Sequence, residues 1–256
     1  MARASGRKPA VTPVWRALWR LGRSLGHIVI GLLTITLQFP RLTSEQREIR
    51  VQAWSRQLLA YLGIRLEVQG PSALPGPLLL VANHISWLDI ASLHAARYCR
   101  FVSKADVKSW PLIGTLATGL GTLFIQRESR RDAMRTVHHM ADSLRAGDVL
   151  AVFPEGTTSD GLSLLPFHAN LLQAAIAAQA PVQPVALQFL DSRTGARSLA
   201  TCYVGDDTLL ASLWRTVRAP GVTVRISFGE PQTADGRERR VWAQDLRAQV
   251  QQLRGD

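Results

Sequence analysis

The chain has 256 residues, with 30 lysines and arginines against 19 acidic residues, which gives a formal net charge of +11. Hydrophobic residues make up 46% of the sequence, which excludes a disordered chain, because such chains combine low hydrophobicity with high net charge. A single marginal apolar run excludes a polytopic membrane protein. Two cysteines, Cys99 and Cys202, are too few for a disulfide framework and favour a reducing compartment. The positive charge predicts an anionic partner, which is nucleic acid, an anionic membrane or an acidic protein.

Residues 1–63 are predicted to form a membrane-associated helical segment. The first 26 residues carry basic side chains and no acidic one, and the apolar stretch 24–40 follows. Its 17 residues are at the short limit for a spanning helix, and basic residues flank both ends, so the positive-inside rule assigns no orientation. A helix that dips into one leaflet fits this charge pattern best, with a single span or a buried core helix as alternatives. A signal peptide is disfavoured because no small-residue cleavage site follows the run.

A second helix is predicted directly after the apolar stretch. Thr43 and Gln46 have the spacing of a capping box, and Gly63 is a suitable C-terminal stop. Apolar residues recur at helical spacing between them, at Val51, Trp54, Leu58 and Leu62. With basic residues on its other faces, this helix reads as one arm of a membrane-surface hairpin or as a cover for the main domain.

Residues 64–256 are predicted to form one α/β domain with a mixed, largely parallel sheet flanked by helices. The pattern alternates between strand-like and helix-like segments, which is typical of such sheets. The predicted strands are 64–68, 78–82, 100–103, 122–126, 149–153, 182–189 and 222–228. The predicted helices are 87–96, 131–145, 169–180 and 239–253. Pro184 interrupts the sixth strand and predicts a sheet edge or a bulge there.

Two ionisable residues, His84 and Asp89, follow the buried strand 78–82. On one continuous helix a spacing of five residues would keep the two side chains apart. They meet if His84 lies in the strand-to-helix turn and Asp89 in the first turns of the helix. Asp89 would then fix the imidazole tautomer and leave the other ring nitrogen as a base. The alternative is an ordinary turn histidine that caps a helix.

Two further segments end predicted strands with polar residues. The turn Phe153-Pro154-Glu155-Gly156-Thr157 places one carboxylate at a strand end, where glycine allows close backbone approach. Arg127 ends the strand 122–126 and can hold a phosphate through a bidentate fork. Taken singly, the first segment is equally consistent with an ordinary exposed turn, and Arg127 with a solvated arginine.

Together, the order and spacing of these segments resemble the glycerolipid acyltransferase family, which is typified by 1-acylglycerol-3-phosphate acyltransferase. The resemblance covers about residues 66–189. Its four blocks are the pair His84 and Asp89, then Phe124, Ile125 and Arg127, then the segment from Phe153 to Thr157, and finally the strand with Pro184.

The resemblance implies an enzyme that acylates the free hydroxyl of a lysolipid. His84 would be the general base and Asp89 its partner, and the acyl donor would be acyl-CoA or acyl carrier protein. Neither an acyl-enzyme, a metal ion nor another cofactor is expected. The expected substrate-binding residues are Lys104, Arg127, Glu155, Gly156 and Thr157. The expected location is the cytoplasmic face of the inner membrane, as a monotopic or single-pass protein.

One departure from the family pattern bears on the acceptor. Many members that use a phosphate-bearing acceptor have arginine where this chain has Thr158, and Phe167 is followed by His168 rather than by a stronger cation. The first expectation is 1-acyl-sn-glycerol-3-phosphate, which gives phosphatidic acid, and the alternative is lyso-ornithine lipid. A basic nucleic-acid-binding protein is a distant alternative, because the sequence shows no known binding motif, and no nucleic-acid partner is expected.

Overall fold

A seven-stranded sheet forms the centre of the fold in the computed structural model, which describes residues 11–125 and 130–255. The strands are Ile64–Gln69 (β1), Leu78–Ala82 (β2), Arg100–Lys104 (β3), Leu123–Ile125 (β4), Val149–Val152 (β5), Val182–Asp191 (β6) and Val222–Phe228 (β7). Their order across the sheet is β1-β7-β6-β2-β5-β3-β4. Only β6 and β7 pair antiparallel among these strands, so the predicted mixed, largely parallel sheet is confirmed.

Helices flank the sheet on both faces. They are Val14–Leu33 (α1), Ser44–Leu62 (α2), Leu88–Ala96 (α3), Ile113–Gly119 (α4), Arg130–Arg145 (α5), Leu172–Ala178 (α6), Leu209–Arg218 (α7) and Arg239–Arg254 (α8). Short 3-10 turns lie at Phe39–Arg41, Ala105–Ser109, Ala169–Leu171 and Leu199–Thr201, and a π-helical turn at Thr34–Gln38. The predicted elements are present with small shifts of their ends. Helices α4 and α7 were not predicted, because seven and ten residues give too few helical periods to recognise.

The hydrophobic core lies in two layers, one on each face of the sheet. All five residues of β2 are buried, as expected of a strand covered on both faces. Leu78 and Leu80 point into the layer beneath α1, α2, α3 and α7, whereas Leu79 and Val81 point into the layer beneath α5, α6 and α8. This alternation fixes the register of β2 and therefore the point at which the chain leaves the sheet before residue 84.

The prediction of an edge or bulge at Pro184 was wrong. Strand β6 lies inside the sheet between β7 and β2, with Pro184 opposite Val81. The proline is tolerated because it stands where the β6–β7 ladder ends, and its carbonyl still accepts the Gly229 N–H at 2.9 Å. The Gly229 carbonyl accepts the side-chain amide of Gln183 at 2.8 Å, which replaces the backbone donor that Pro184 lacks.

Helices α1 and α2 form an antiparallel hairpin, as predicted. Thr43 and Gln46 make the expected capping box, and Gly63 ends α2 in the left-handed conformation with φ of 80°. Midway along the hairpin, Gly31 lies directly against the indole of Trp54. That indole donates to the His27 carbonyl at 3.0 Å and stacks on the His27 ring at 5.0 Å.

The basic residues that follow the apolar stretch fold back onto its end. Arg41 donates to the Leu37 carbonyl at 2.8 Å, and Arg47 donates to the Phe39 carbonyl at 2.9 Å. The Phe39 carbonyl also accepts the Leu42 N–H at 3.1 Å, in the last turn of this helical stretch. The arginines therefore cap the C-terminal end of the apolar helix and complement its dipole.

The outward face of the N-terminal helix is apolar and exposed. The continuous helical stretch Val14–Arg41 has 28 residues and is, by length and composition, apolar enough to cross a membrane. Only 11% of its most apolar window is buried, which does not fit the core-helix alternative. The exposed side chains along α1 and its extension include Trp15, Leu18, Trp19, Ile30, Leu33 and Leu37. Helix α2, in contrast, buries Leu58, Leu59 and Leu62 in the main core, so it also covers the sheet.

We expect Gly31→Ala to weaken the hairpin, because a Cβ at residue 31 would lie 2.6 Å from Trp54 Nε1. Overpacking of this kind costs about 1–3 kcal/mol. Gly26→Ala is the matched control, because a Cβ there meets nothing within 4 Å and the helix gains about 0.5–1 kcal/mol. Denaturant unfolding of both variants in detergent measures the difference, and equal shifts in the two would contradict the packing.

Candidate active site

The predicted site residues gather at one edge of the sheet. Strands β2, β5, β3 and β4 are neighbours and run parallel, so their carboxyl ends lie side by side. His84 follows β2, Glu155 follows β5, and Lys104 is the last residue of β3. Arg127 follows β4 but lies outside the described residues. Sites in α/β sheets are commonly found beyond this edge.

Asn83 guides the chain out of the sheet just before His84. Its side chain is buried, and its amide donates to the Leu187 carbonyl at 3.0 Å. The Leu187 N–H donates back to the Asn83 side-chain oxygen at 2.7 Å. The side chain thus replaces the backbone pairing with β6 that is lost as β2 ends, and it fixes the start of the turn that carries His84.

His84 and Asp89 meet as predicted. His84 Nδ1 lies 2.7 Å from Asp89 Oδ2, with His84 in the turn and Asp89 in the first turn of α3. The same oxygen accepts the backbone N–H groups of Ile85 and Ser86 at 2.6 and 2.9 Å. Asp89 is fully buried, and these three donors to Oδ2 together with the helix N-terminus offset part of the cost of removing its charge from water, whereas Oδ1 has no hydrogen-bond partner among the described residues.

The His84 ring is held in one orientation with one nitrogen available. Donation from Nδ1 to Asp89 leaves the lone pair on Nε2, which has no hydrogen-bond partner among the described residues. The ring stacks on Phe153 with centroids 4.0 Å apart and an angle of 6° between the planes, and Phe101 packs behind Phe153. The side chain is 20% exposed, so the ring is not fully enclosed by the protein. The role of Phe153 was not foreseen, although an aromatic residue directly before a Pro-Glu-Gly turn was a visible signal.

Glu155 directs its carboxylate at the backbone. Oε1 accepts the His84 N–H at 2.8 Å, and Oε2 accepts the Leu165 N–H at 3.0 Å. The residue is only 4% exposed, and burial raises its carboxyl pKa, against the opposing effect of the two N–H donors. One oxygen therefore holds the main chain at His84 and the other holds it at Leu165, an arrangement that sequence spacing gave no means to foresee.

The turn after β5 also holds the other side of His84. The Ser159 N–H donates to the His84 carbonyl at 2.9 Å, so both backbone polar groups of His84 are bonded to this turn. Gly156 closes the turn by donating to the Phe153 carbonyl at 3.1 Å, with φ of 74°, a conformation that favours glycine. The first and third sequence blocks are thus one interlocked unit.

A loop that no motif indicated packs against this unit. Ser86 Oγ donates to the Thr201 carbonyl at 2.6 Å, and the Tyr203 N–H donates to the Ile85 carbonyl at 3.2 Å. Thr158 Oγ1 donates to the Tyr203 carbonyl. Because the loop contributes mainly backbone groups, its side chains carry no signal that could have identified it. The hydroxyl of Thr158, at the position where many family members have arginine, is therefore committed to the protein backbone.

The remaining predicted residues lie nearby without joining the hydrogen-bonded unit. Thr157 and Lys104 are exposed, and within the described ranges no hydrogen bond or ion pair links either to His84, Asp89 or Glu155. Lys104 ends the second strand along from β2, roughly 10 Å across the sheet at ordinary strand spacing. The edge therefore offers a half-buried histidine paired with a buried aspartate, and an exposed cation two strands away.

Comparison with known proteins identifies relatives along most of the chain. A family model described as Acyltransferase matches residues 65–188. A lyso-ornithine lipid O-acyltransferase from Pseudomonas aeruginosa is 38% identical over 230 residues, which cover 88% of each chain. A 1-acyl-sn-glycerol-3-phosphate acyltransferase from Neisseria meningitidis serogroup B is 42% identical over 185 residues, which cover 72% of each chain.

The fold has a counterpart among solved structures. The crystal structure of the 1-acyl-sn-glycerophosphate acyltransferase PlsC from Thermotoga maritima superimposes with a TM-score of 0.70 over 95% of this chain and 96% of that one. At 20% identity this likeness concerns the fold alone. The sequence relatives, at 38% and 42% identity over 88% and 72% of this chain, show the family. This chain therefore belongs to the acyltransferase family.

Proposed function

We propose that the protein transfers a fatty acyl group from acyl-CoA or acyl carrier protein to the free hydroxyl of a lysolipid. The observation that carries this proposal is the His84–Asp89 pair, with Nδ1 bonded to a buried carboxylate and Nε2 without a partner among the described residues, on a side chain that is 20% exposed. In this geometry Nε2 takes the proton of the acceptor hydroxyl, and Asp89 stabilises the imidazolium that forms. Base catalysis of this kind contributes about 10²–10⁴-fold to the rate.

The acyl transfer itself proceeds by direct attack. The acceptor oxygen bonds to the thioester carbonyl carbon as its proton passes to Nε2, and the carbon–sulfur bond then breaks. The proton on His84 neutralises the departing thiolate, so the enzyme returns to its starting state. The proposed chemistry needs no acyl-enzyme, metal ion or other cofactor. Positioning of the two substrates supplies the rest of the rate enhancement.

The other site residues act around this pair. Glu155 is a positioning residue, because it holds the backbone N–H of His84. Gly156 allows the substrate to approach the main chain, and Thr157 lines the same turn. Lys104 and Arg127 supply cations for a head group or for the donor phosphates.

The first acceptor we propose is 1-acyl-sn-glycerol-3-phosphate, with phosphatidic acid as the product. Lys104 at the end of β3 and Arg127, two positions after β4 in the sequence, suit a phosphomonoester, and the relatives from Neisseria meningitidis and Neisseria gonorrhoeae are named for this activity. Acyl transfer to this lipid is a step of membrane phospholipid synthesis.

Lyso-ornithine lipid is the second candidate acceptor, and Thr158 favours it. Where many phosphate-using members have arginine, this chain has a hydroxyl that is bonded to the Tyr203 carbonyl. The relatives from Pseudomonas aeruginosa and Rhizobium meliloti are named lyso-ornithine lipid O-acyltransferase. An acceptor with an amino-acid head group needs fewer fixed cations than one with a phosphomonoester.

We also propose that the protein lies on the cytoplasmic face of the inner membrane as a monotopic protein. Residues 1–63 would seat it on the lipid, and residues 64–256 would carry the acyltransferase domain. Helix α2 runs back along α1 and carries charged residues such as Glu48, Arg50 and Arg56. If α1 crossed the bilayer, these charges would enter the hydrocarbon with it, which is costly. Insertion into one leaflet leaves them in the head-group region.

We expect His84→Ala and Asp89→Asn each to lower turnover by roughly 10²–10⁴-fold. The first removes the base, and the second removes the charge that holds its tautomer. Steady-state assays with acyl-CoA and a lysolipid measure both. His138→Ala, an exposed histidine on α5, is the matched control and should keep full activity. Wild-type turnover in His84→Ala would refute the base assignment.

We expect Glu155→Gln to lower kcat by about tenfold or more while KM for the acceptor changes little. An amide can accept one of the two backbone N–H groups but not both, and a buried unsatisfied donor costs about 1–3 kcal/mol. Glu238→Gln, on the surface at the start of α8, is the control. A rise in acceptor KM with unchanged kcat would show instead that Glu155 binds substrate directly.

An acceptor panel distinguishes the two candidate substrates. Purified enzyme is assayed with lysophosphatidic acid and lyso-ornithine lipid, each with acyl-CoA and with acyl carrier protein as donor. Thr158→Arg should raise the preference for lysophosphatidic acid by about tenfold, because it adds a cation, whereas Thr158→Val removes only the hydroxyl and should not. Acylation of neither lipid would overturn the proposed acceptor class.

A further inference from the structure

We propose that residues 110–112, between β3 and α4, form a second lipid-contacting point beside the active-site edge. This segment, here the 110–112 turn, comprises Trp110, Pro111 and Leu112. It would enter the head-group region of the leaflet that holds the N-terminal hairpin. The hairpin alone anchors the chain, whereas the 110–112 turn would set which edge of the sheet faces the lipid.

The 110–112 turn exposes two large apolar side chains. Trp110 is 47% exposed and Leu112 is 57% exposed. Single exposed apolar residues are common on protein surfaces, but these two lie two positions apart on one tight turn. Tryptophan is also the residue most typical of membrane interfaces, where its apolar ring and polar N–H are both satisfied.

The backbone at the exposed residue Leu112 is strained. Its φ is 64° and its ψ is −49°, and the Ile113 N–H donates across it to the Pro111 carbonyl at 2.7 Å. These are the features of the γ-turn that is rare and strained for residues other than glycine. Glycine would adopt this conformation without that strain. The chain instead keeps a bulky apolar side chain pointing away from the core, which indicates a use for the side chain itself.

The 110–112 turn is held rigidly against the protein. The Gly114 N–H donates to the Trp110 carbonyl at 2.8 Å, and the Trp110 N–H donates to the Val107 carbonyl at 3.2 Å. A Cβ on Gly114 would lie 2.0 Å from the Lys108 carbonyl oxygen, so the backbone segments touch. The exposed side chains are therefore presented on a fixed support rather than on a loose loop.

Helix α4 connects the 110–112 turn to the least polar part of the N-terminal segment. Helix α4, which follows the turn, packs on that segment so closely that a Cβ on Gly119 would lie 2.2 Å from Ile35 Cγ2. Between Arg23 and Arg41 the chain has no acidic residue, lysine or arginine, and Leu33 and Leu37 are exposed there. Gly119 is the last residue of α4 and the turn directly precedes its first, so one seven-residue helix, roughly 10 Å long, connects the turn to this apolar surface.

Charge near the 110–112 turn fits an anionic lipid surface. Lys104 and Lys108 are exposed on the segment that leads to the turn, with one acidic residue, Asp106, between them. Basic residues beside interfacial apolar groups strengthen attachment to an anionic leaflet. An acidic carrier protein would also be attracted by these lysines. Lipid is favoured because the turn exposes a tryptophan and a leucine, the side chains of a membrane interface, and because α4 joins it to the exposed apolar N-terminal segment.

The role of this lipid contact rests on the proposed function, the acylation of a membrane lysolipid. Strand β3 ends at the same sheet edge as His84, so a lipid contact just beyond β3 keeps the base close to hydroxyls at the bilayer surface. The labelling experiment measures lipid contact at residue 112 and does not depend on catalytic turnover. Failure of the inference and failure of the proposed function are therefore distinguishable.

Site-specific labelling tests the contact directly. Leu112→Cys is labelled with an environment-sensitive fluorophore and mixed with vesicles of phosphatidylethanolamine and phosphatidylglycerol. Val241→Cys, exposed on α8 across the sheet, is the matched control. Native Cys99 and Cys202 are buried, and burial raises their pKa to about 12 and about 11, so they react slowly. We expect a blue shift and quenching by spin-labelled lipid at residue 112 alone. A label at residue 112 that stays in water on vesicle-bound protein would overturn the inference.

A second variant separates the effect of the apolar side chain at residue 112 from the effect of the backbone strain. Leu112→Gly keeps the turn conformation and removes the side chain, so we expect an unchanged or higher Tm but about three- to tenfold weaker vesicle binding. KM for a vesicle-embedded lysolipid should rise, while kcat with a short-chain soluble lysolipid should not change. Unaltered vesicle binding together with a raised KM for acyl carrier protein would overturn the lipid contact in favour of a carrier-protein surface.

Discussion

The structure of the site depends on the hydrogen bonds that the buried carboxylate of Asp89 requires. A buried charge without partners is strongly unfavourable, and Asp89 Oδ2 has three donors, from His84 Nδ1 and from the N–H groups of Ile85 and Ser86. These donors are satisfied together only if the chain after β2 turns sharply and α3 begins at Leu88. The requirement to satisfy one oxygen thus shapes the turn, starts the helix and fixes the imidazole tautomer.

A second buried carboxylate completes the arrangement from the neighbouring strand. Asp89 holds the side chain of His84, whereas Glu155 holds its backbone N–H and Ser159 holds its carbonyl. The histidine is therefore fixed at three points by two segments that are far apart in sequence, and Phe153 covers one face of its ring. Such support from outside the reacting group is what keeps a base within bonding distance of its substrate.

The amino-acid sequence alone predicts the features that depend on local patterns. The continuous apolar run of β2, the capping box at Thr43 and the pairing of His84 with Asp89 follow from residue type and spacing. Features that depend on long-range packing cannot be predicted from residue type and spacing. The carboxylate of Glu155 turns towards the backbone of His84, which is 71 positions away. Pro184 lies inside the sheet because Gln183 supplies its missing donor, a substitution that no local rule for proline anticipates.

The arginines that cap the apolar helix change how the net charge of +11 should be read. Arg41 and Arg47 donate to carbonyls at that helix end, and Arg20 and Arg56 donate to the carbonyls of Val217 and Ala95. A guanidinium bonded to a neutral carbonyl keeps its full charge, but its donors are partly used and its direction is fixed by the fold. These arginines therefore add to the field around the helix more than to direct contacts with lipid phosphates. Salt screens that field but not the exposed apolar face of α1, so dispersal of the protein from its membrane by salt should be incomplete.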